Sequence, residues 1–321
     1  MNAETFLPVL KGLFSKFTGY KKKVPSPTGG TINSRYCYSV WMRHLVHASR
    51  SGYSNTNATV AELGPGDSLG TGLAALLCGC SRYYALDIFK YWDVERNLKI
   101  FDELIELLKQ RAAIPGDDEF PRTTPKLDSY SFPTDILSAE ILQRSLSEER
   151  INKIRNELMH SEESKANTFI HSYVPWDDTS IIEKDSVDFF FSQAVLQSVN
   201  DLDETYAAMR SWLRSGGIMS HSIDLSSVGL TKSWNGHWTF SDTEWRIVSQ
   251  KTVIPLNRAT LGDHLSLLEK HNFQLTEKIG YPAPVGFNKT LLAKQFREMT
   301  EESFSTRAAF LQAIKKYPPG Y

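Results

Sequence analysis

Two acids and two glycines mark the part of the chain best suited to hold a ligand. In "VAELGPGDSLG" the strand-like run from Val60 to Leu63 contains Glu62 and is followed by Gly64 and Gly66. Glycines at two-residue spacing after a strand make a turn where the backbone can touch a bound molecule, because neither has a Cβ. Asp87 ends "YYALD", about twenty residues further on, the spacing at which a carboxylate accepts ribose hydroxyls in folds of alternating strands and helices. A nucleoside triphosphate would need a Lys and a Ser or Thr after the last glycine, and "GPGDSLG" has no Lys. A dinucleotide would want a third glycine where this chain has Leu69. Glu62 would repel a pyrophosphate and suits a ligand end that carries positive charge. S-adenosylmethionine has an ammonium, a sulfonium, a ribose and no phosphate.

The elements that must position these residues follow from hydrophobic period and breakers. "TVAEL" reads as a strand and "LGTGLAALLCG" as the helix after the glycine turn. "RYYALDI", "TFIHSYV" (168–174), "SVDFFFSQ" (186–193), "GIMSHSIDL" and "QLTEKIG" read as further strands. "SVDFFFSQ" is nearly continuous in apolar residues, as a strand buried on both faces is. "DLDETYAAMRSWLRSGG" and "GDHLSLLEKHNF" are the helices between them, the first capped by Asp and stopped by the Gly pair. Strands alternating with helices predict a parallel sheet covered on both faces.

The core spans 58–280, behind an N-terminal helical cap (1–57) and ahead of a C-terminal helical tail (281–321). In the cap, Ser34 is the expected N-cap of a helix through "SRYCYSVWMRHLVHASRSG". Residues 93–111 supply a crossover helix, and 112–165 then form an insertion, expected to act as a lid or substrate wall.

Net charge is −1, which gives no bulk attraction to nucleic acid. No apolar run approaches the roughly 20 residues that span a bilayer. The N-terminus lacks the basic region of a secretory signal. Phe6, Leu10, Leu13 and Phe17 share one helical face near lysines, which suits weak contact with a membrane surface or packing over the cleft. Cys37, Cys78 and Cys80 form no CxxC pair and read as small buried residues of a reducing, cytoplasmic protein.

The order "VAELGPGDSLG", "YYALDI", "SVDFFFSQAVLQSV", "LRSGGIMSHSIDL" resembles the class I S-adenosylmethionine-dependent methyltransferases over roughly residues 58–280. The resemblance implies an α/β fold: a doubly wound, mostly parallel seven-stranded sheet with a helical cap and insertion. Carried over by position, Glu62, Gly64 and Gly66 would hold the methionine end of the cofactor. Asp87 would take the ribose and Ile88 the adenine, and Ser192 and Gln193 would border the methyl donor. "RYCYSVWMRHL" and "SWNGHWTFSD" look like a bacterial branch associated with surface-polysaccharide biosynthesis. Two departures stand out. "IHSYVPW" has no acid for the adenine amine, and Gln197-Ser198 replaces a frequent Glu-His.

Methyl transfer is an in-line displacement in which the protein aligns the reactants and excludes water. A hydroxyl nucleophile also needs a base. His221 and Asp224, at the end of the fifth strand, and His237, in the aromatic loop, are the candidates. Trp234 and Trp238 would offer ring faces to a sugar or pack in the core. His264 reads as structural, and His44 and His47 as packing or solvent-facing residues of the first helix. No carboxylate or His cluster suggests a metal. The sequence thus points to methyl transfer to a hydroxyl of a sugar or small polar acceptor, with no nucleic-acid partner. Amine methylation, or cofactor binding without catalysis, are the alternatives. Oligomeric state is not legible.

Overall fold

In the computed structural model, Pro8 and residues 29–160, 168–176, 178–249 and 256–317 are described. The helix expected over 4–17 lies, apart from Pro8, outside them. Seven strands form one sheet: β1 (Thr59–Leu63), β2 (Arg82–Leu86), β3 (Ile170–Tyr173), β4 (Val187–Gln193), β5 (Leu213–Asp224), β6 (Phe273–Pro282) and β7 (Thr306–Lys315). Their order is β3-β2-β1-β4-β5-β7-β6. The first five run parallel, and β7 lies antiparallel between β5 and β6. The mostly parallel seven-stranded sheet is the one implied by the resemblance.

β4 shows why parallel strands must be covered twice. Phe189 and Phe191 point to one face and meet Trp41 at ring-centroid distances of 6.0 and 5.8 Å. Phe190 points to the other and stacks on Trp212 at 5.9 Å. The first face carries α1 (Ser34–Arg50), α2 (Gly70–Leu77) and α3 (Val94–Lys109), with α4 (Ala139–Ser145) and α5 (Glu148–Met159) beyond them. The second carries α6 (Leu202–Trp212) and α8 (Leu261–Lys270), whereas α7 (Asp242–Ser249) packs with Phe240 in a small cluster of its own. The short α9 (Glu301–Ser305) leads into β7.

Three expectations change. The N-cap of α1 is Asn33, whose side chain accepts from the amides of Arg35 and Tyr36; Ser34 is already helical. Residues 281–321 are not a helical tail, because β7 lies within them and the core extends to Lys315. "TRAAFLQAIK" is rich in good helix formers, but strand partners on both sides and a buried middle decide its state. The third, the lid, finds no support in the lining: none of the insertion's described residues borders the cleft discussed below.

The insertion instead wraps α1 through one buried cation. Arg43 is fully buried. Its guanidinium donates to the carbonyls of Thr123 (3.1 Å), Pro125 (2.8 Å) and Pro115 (3.2 Å), and lies 4.9 Å over the Tyr130 ring. Arg43→Met should therefore leave three buried carbonyls short of donors and cost about 3 kcal/mol of stability. Chemical denaturation of the two proteins measures it. A loss under about 0.5 kcal/mol, the scale of a surface substitution, would show that the clamp is not what holds the insertion.

Candidate functional site

The cleft opens where the strand order reverses. β1 has β2 on one side and β4 on the other, with Leu63 level with Leu86 and Ser192. Ligands of open α/β sheets bind at such a switch point, outside the C-terminal strand ends. A cavity of about 870 Å³ lies there, lined by Glu62, Gly64, Gly66, Asp87, Ile88 and Gln193 among others.

Glu62 sits on β1 with 2% of its surface exposed. The Tyr83 hydroxyl donates to its Oε2 at 2.5 Å. Burial nevertheless pushes the Glu62 carboxyl up to about 8, the Tyr83 bond opposing the shift. Gly64 (φ +72°) and Gly66 (φ +73°) both occupy the left-handed region. A Cβ at Gly64 would meet Val195 at 2.5 Å, so the turn between β1 and α2 and the segment after β4 close on each other there. Asp87 Oδ1 accepts from the Ile88 amide at 2.7 Å, and Oδ2 from the Gly66 amide at 3.4 Å. These bonds leave acceptor capacity on a carboxylate. Burial raises its pKa, and those backbone amides oppose the rise. Ile88, an apolar side chain at the cleft, is 44% exposed.

The N-terminal segment straps the glycine turn, a role not foreseen in the sequence. The Gly29 amide donates to Asp67 Oδ2 at 3.1 Å, the Asp67 amide to Thr31 Oγ1 at 3.0 Å, and Ser68 Oγ to the Thr31 carbonyl. Gly29, Gly30, Thr31 and Tyr36 thereby become cleft wall. The opposite wall comes from the segment after β4 (Ala194–Asp201), from α6, from Ser227–Leu230 after β5, and from Trp245 and Val248 on α7.

Among the described residues, the ionisable acids and bases of the lining are all acids. Glu62, Asp87, Asp201 and Glu204 line the cleft, and among the described residues no Lys or Arg does. All eight histidines are described, and none lines it.

That finding corrects the expected bases. His221 is fully buried under Phe190 on the α6 side of β5, its Nδ1 2.7 Å from Ser192 Oγ. Burial, together with His44 and His264, holds its pKa well below the usual value. Ser192 is spent on this contact and does not face the cleft. Asp224 accepts from the Ser226 amide at 2.9 Å and lies off the lining. His237 is 1% exposed against Trp238, at 4.7 Å, and burial pushes it down to about 3. Trp234 and Trp238 pack with Leu292 in a satellite core, so their faces are not open to a sugar.

A histidine the sequence left in the background stands behind the cleft. His44, on α1, places Nδ1 2.8 Å from Ser220 Oγ and Nε2 3.2 Å from Gln193 Oε1. Burial lowers its pKa to about 3. A neutral ring can donate from Nε2 while Nδ1 accepts, which holds the Gln193 amide in place. The only signal in the sequence was a His inside an otherwise apolar helical face.

No protein-family model matches the chain, and no curated protein does. Solved structures similar to it include an S-adenosylmethionine-dependent methyltransferase from Methanosarcina mazei, at 11% identity and TM-score 0.44, covering 84% of this chain and 98% of that one. Another, from Mesorhizobium loti, has 13% identity and TM-score 0.38 over 84% and 96% of the two chains. A geranyl diphosphate methyltransferase in complex with SAM has 11% identity and TM-score 0.41 over 88% and 85%.

Two substitutions test the placement. Gly64→Ala forces a left-handed alanine, at roughly 1–2 kcal/mol, and drives its methyl into Val195. S-adenosylhomocysteine affinity should fall about tenfold, and Val195→Ala should restore part of it. No rescue in the double variant would mean that the two segments do not meet as described. His221→Asn should lower stability but leave turnover within about threefold, since the ring does not reach the cleft. A loss of turnover at the about 10² to 10⁴-fold scale of a positioned base would return His221 to the reaction.

Proposed function

We propose that the protein is an S-adenosylmethionine-dependent methyltransferase acting on a small-molecule acceptor. One observation carries the reading: Glu62, the Gly64–Gly66 turn and Asp87 come together in one cleft at the sheet's switch point. The residues fit the cofactor. A buried carboxylate beside a close-approach turn suits an ammonium, Asp87 suits two vicinal hydroxyls, and exposed Ile88 suits an adenine face. A cleft without described cations, walled by carboxylates, does not suit a pyrophosphate.

When bound, S-adenosylmethionine supplies a methyl group activated by its sulfonium. The chain's part is to bind, orient and exclude water. Glu62 and the glycine turn fix the methionine end, and Asp87 with Ile88 fixes the nucleoside. Gln193, held by His44, borders the acceptor side, and the Gly29–Tyr36 strap closes the cleft over the turn. The hydroxyl-acceptor reading loses its imidazole base, because no histidine lines the cleft. The same observation favours a nucleophile that needs none.

The ammonium reading has a pH signature. Glu62 must ionise to pair with a cation, and its carboxyl titrates near 8. S-adenosylhomocysteine should bind more tightly as pH rises from 6 towards 8, by up to about tenfold per unit, and then level off. Protein stability should move the other way. A carboxyl raised above its ordinary value of 4.5 costs stability progressively as pH rises from about 4.5 to about 8. Glu62→Gln should flatten both dependences. Calorimetry with S-adenosylhomocysteine and NAD at several pH values checks this, and preferential binding of NAD would overturn the cofactor assignment.

A further inference from the structure

We infer that His44 of the first helix and Thr124 of the insertion are positioning residues for Gln193, and through it for the methyl-donor end of the bound cofactor. The inference rests on the methyl-transfer reading and concerns two residues that do not line the cleft themselves.

The observation is a chain of hydrogen bonds that reaches the cleft at one side chain. Gln193 ends β4, is half-buried and lines the cleft. Behind it His44, Ser220, Ser222 and Thr124 are all buried. His44 Nε2 is 3.2 Å from Gln193 Oε1, and His44 Nδ1 is 2.8 Å from Ser220 Oγ. At the other end of the amide, Gln193 Nε2 lies 3.5 Å from Ser222 Oγ, which in turn bonds Thr124 Oγ1. With Oε1 turned to the ring, the bonds run one way. Ser220 donates to His44, His44 to Gln193, Gln193 to Ser222 and Ser222 to Thr124. Bonds in such a series strengthen one another. Both ends of the chain return to one helix. Arg43, the residue before His44, donates to the carbonyls of Thr123 and Pro125, which flank Thr124.

Packing alone would not choose these side chains. Trp41 and Ala48, one turn to either side of His44 on α1, are fully buried and apolar. An apolar residue at 44 would avoid the cost of burying polar groups. Instead, polar side chains from α1, the insertion and β5 converge on a single amide in the cleft wall, which is how a group is held in one rotamer for a ligand. The amide keeps one lone pair on Oε1 and one N–H for the cleft. Its place follows from the strand order. Asp87 and Ile88 lie on the β2 side of β1, Glu62 lies on β1, and Gln193 lies on the β4 side. With the nucleoside at Asp87 and the methionine end at Glu62, Gln193 is the side chain left to face the sulfur and its methyl.

The test uses the full chain and two cofactor analogues: S-adenosylhomocysteine, and sinefungin, which carries an amine in place of the transferable methyl. Calorimetry gives the ratio of their affinities. Gln193→Leu should weaken sinefungin about tenfold relative to S-adenosylhomocysteine, the scale of one hydrogen bond to a charged group. His44→Asn, whose amide reaches only as far as Nδ1, and Thr124→Val should each move the ratio the same way by at least about threefold. His44→Gln, whose amide reaches as far as Nε2, should stay within about twofold of wild type. Added to Gln193→Leu, Thr124→Val should change the ratio no further, because it acts through Gln193. A ratio that Gln193→Leu leaves unchanged overturns the inference and leaves the cofactor reading standing. So do equal losses from Thr124→Val with and without Gln193, or equal losses in the two His44 variants. Failure of S-adenosylhomocysteine to bind the wild type overturns both readings. Retained S-adenosylhomocysteine affinity reports that each variant has folded, and Thr124→Val decides the matter if a His44 variant does not fold.

Discussion

A carboxylate on a buried strand, with a tyrosine hydroxyl donating to it, is the constraint on which the cleft depends. Glu62 occupies a position that β1 would otherwise give to an apolar residue, since Val60, Ala61 and Leu63 around it are all buried. Burying a charge without a partner is expensive, and the group responds by shifting its pKa. Tyr83, on the neighbouring strand, offsets part of that cost. Gly72 sits so close to the Tyr83 ring that any Cβ would overlap it. The helix after the glycine turn, the second strand and the acid on the first strand are thus fixed against one another. The remaining charge of the group is directed to whatever cation enters the cleft.

The first helix is the second organiser, and it reaches the cleft from behind. His44 holds Gln193, and Tyr36 lines the wall. Arg43 gathers the insertion, and His47 reaches Glu277 on β6 at 2.8 Å and the Lys126 carbonyl at 3.0 Å. One element therefore ties the cleft, the insertion and the far edge of the sheet. The insertion is a brace on the scaffold and touches the network as well, through Thr124 Oγ1 and Ser222 Oγ. Gln193 Nε2 lies within 3.5 Å of the same Ser222 hydroxyl.

The sequence by itself determined the alternation of strand and helix, the two-sided burial of β4, and the ligand turn with its two acids. These are local or period-based signals: a run of phenylalanines, a pair of glycines, an acid at a strand end. It also excluded a triphosphate loop and disfavoured a dinucleotide, because those ligands demand residues at fixed offsets that are absent here. Tertiary structure alone decided that His221, Asp224 and His237 stay out of the cleft. A strand residue's face depends on register, and a shift of one residue exchanges the two sides. His221 lies on the face covered by α6, whereas Ser220 and Ser222, its immediate neighbours, face His44 and Thr124. It decided that "TRAAFLQAIK" is a central strand, since helix propensity yields to partners on both edges. It also brought Glu62 and Asp87, from two different strands, into one cleft with Asp201 and Glu204 at the start of α6.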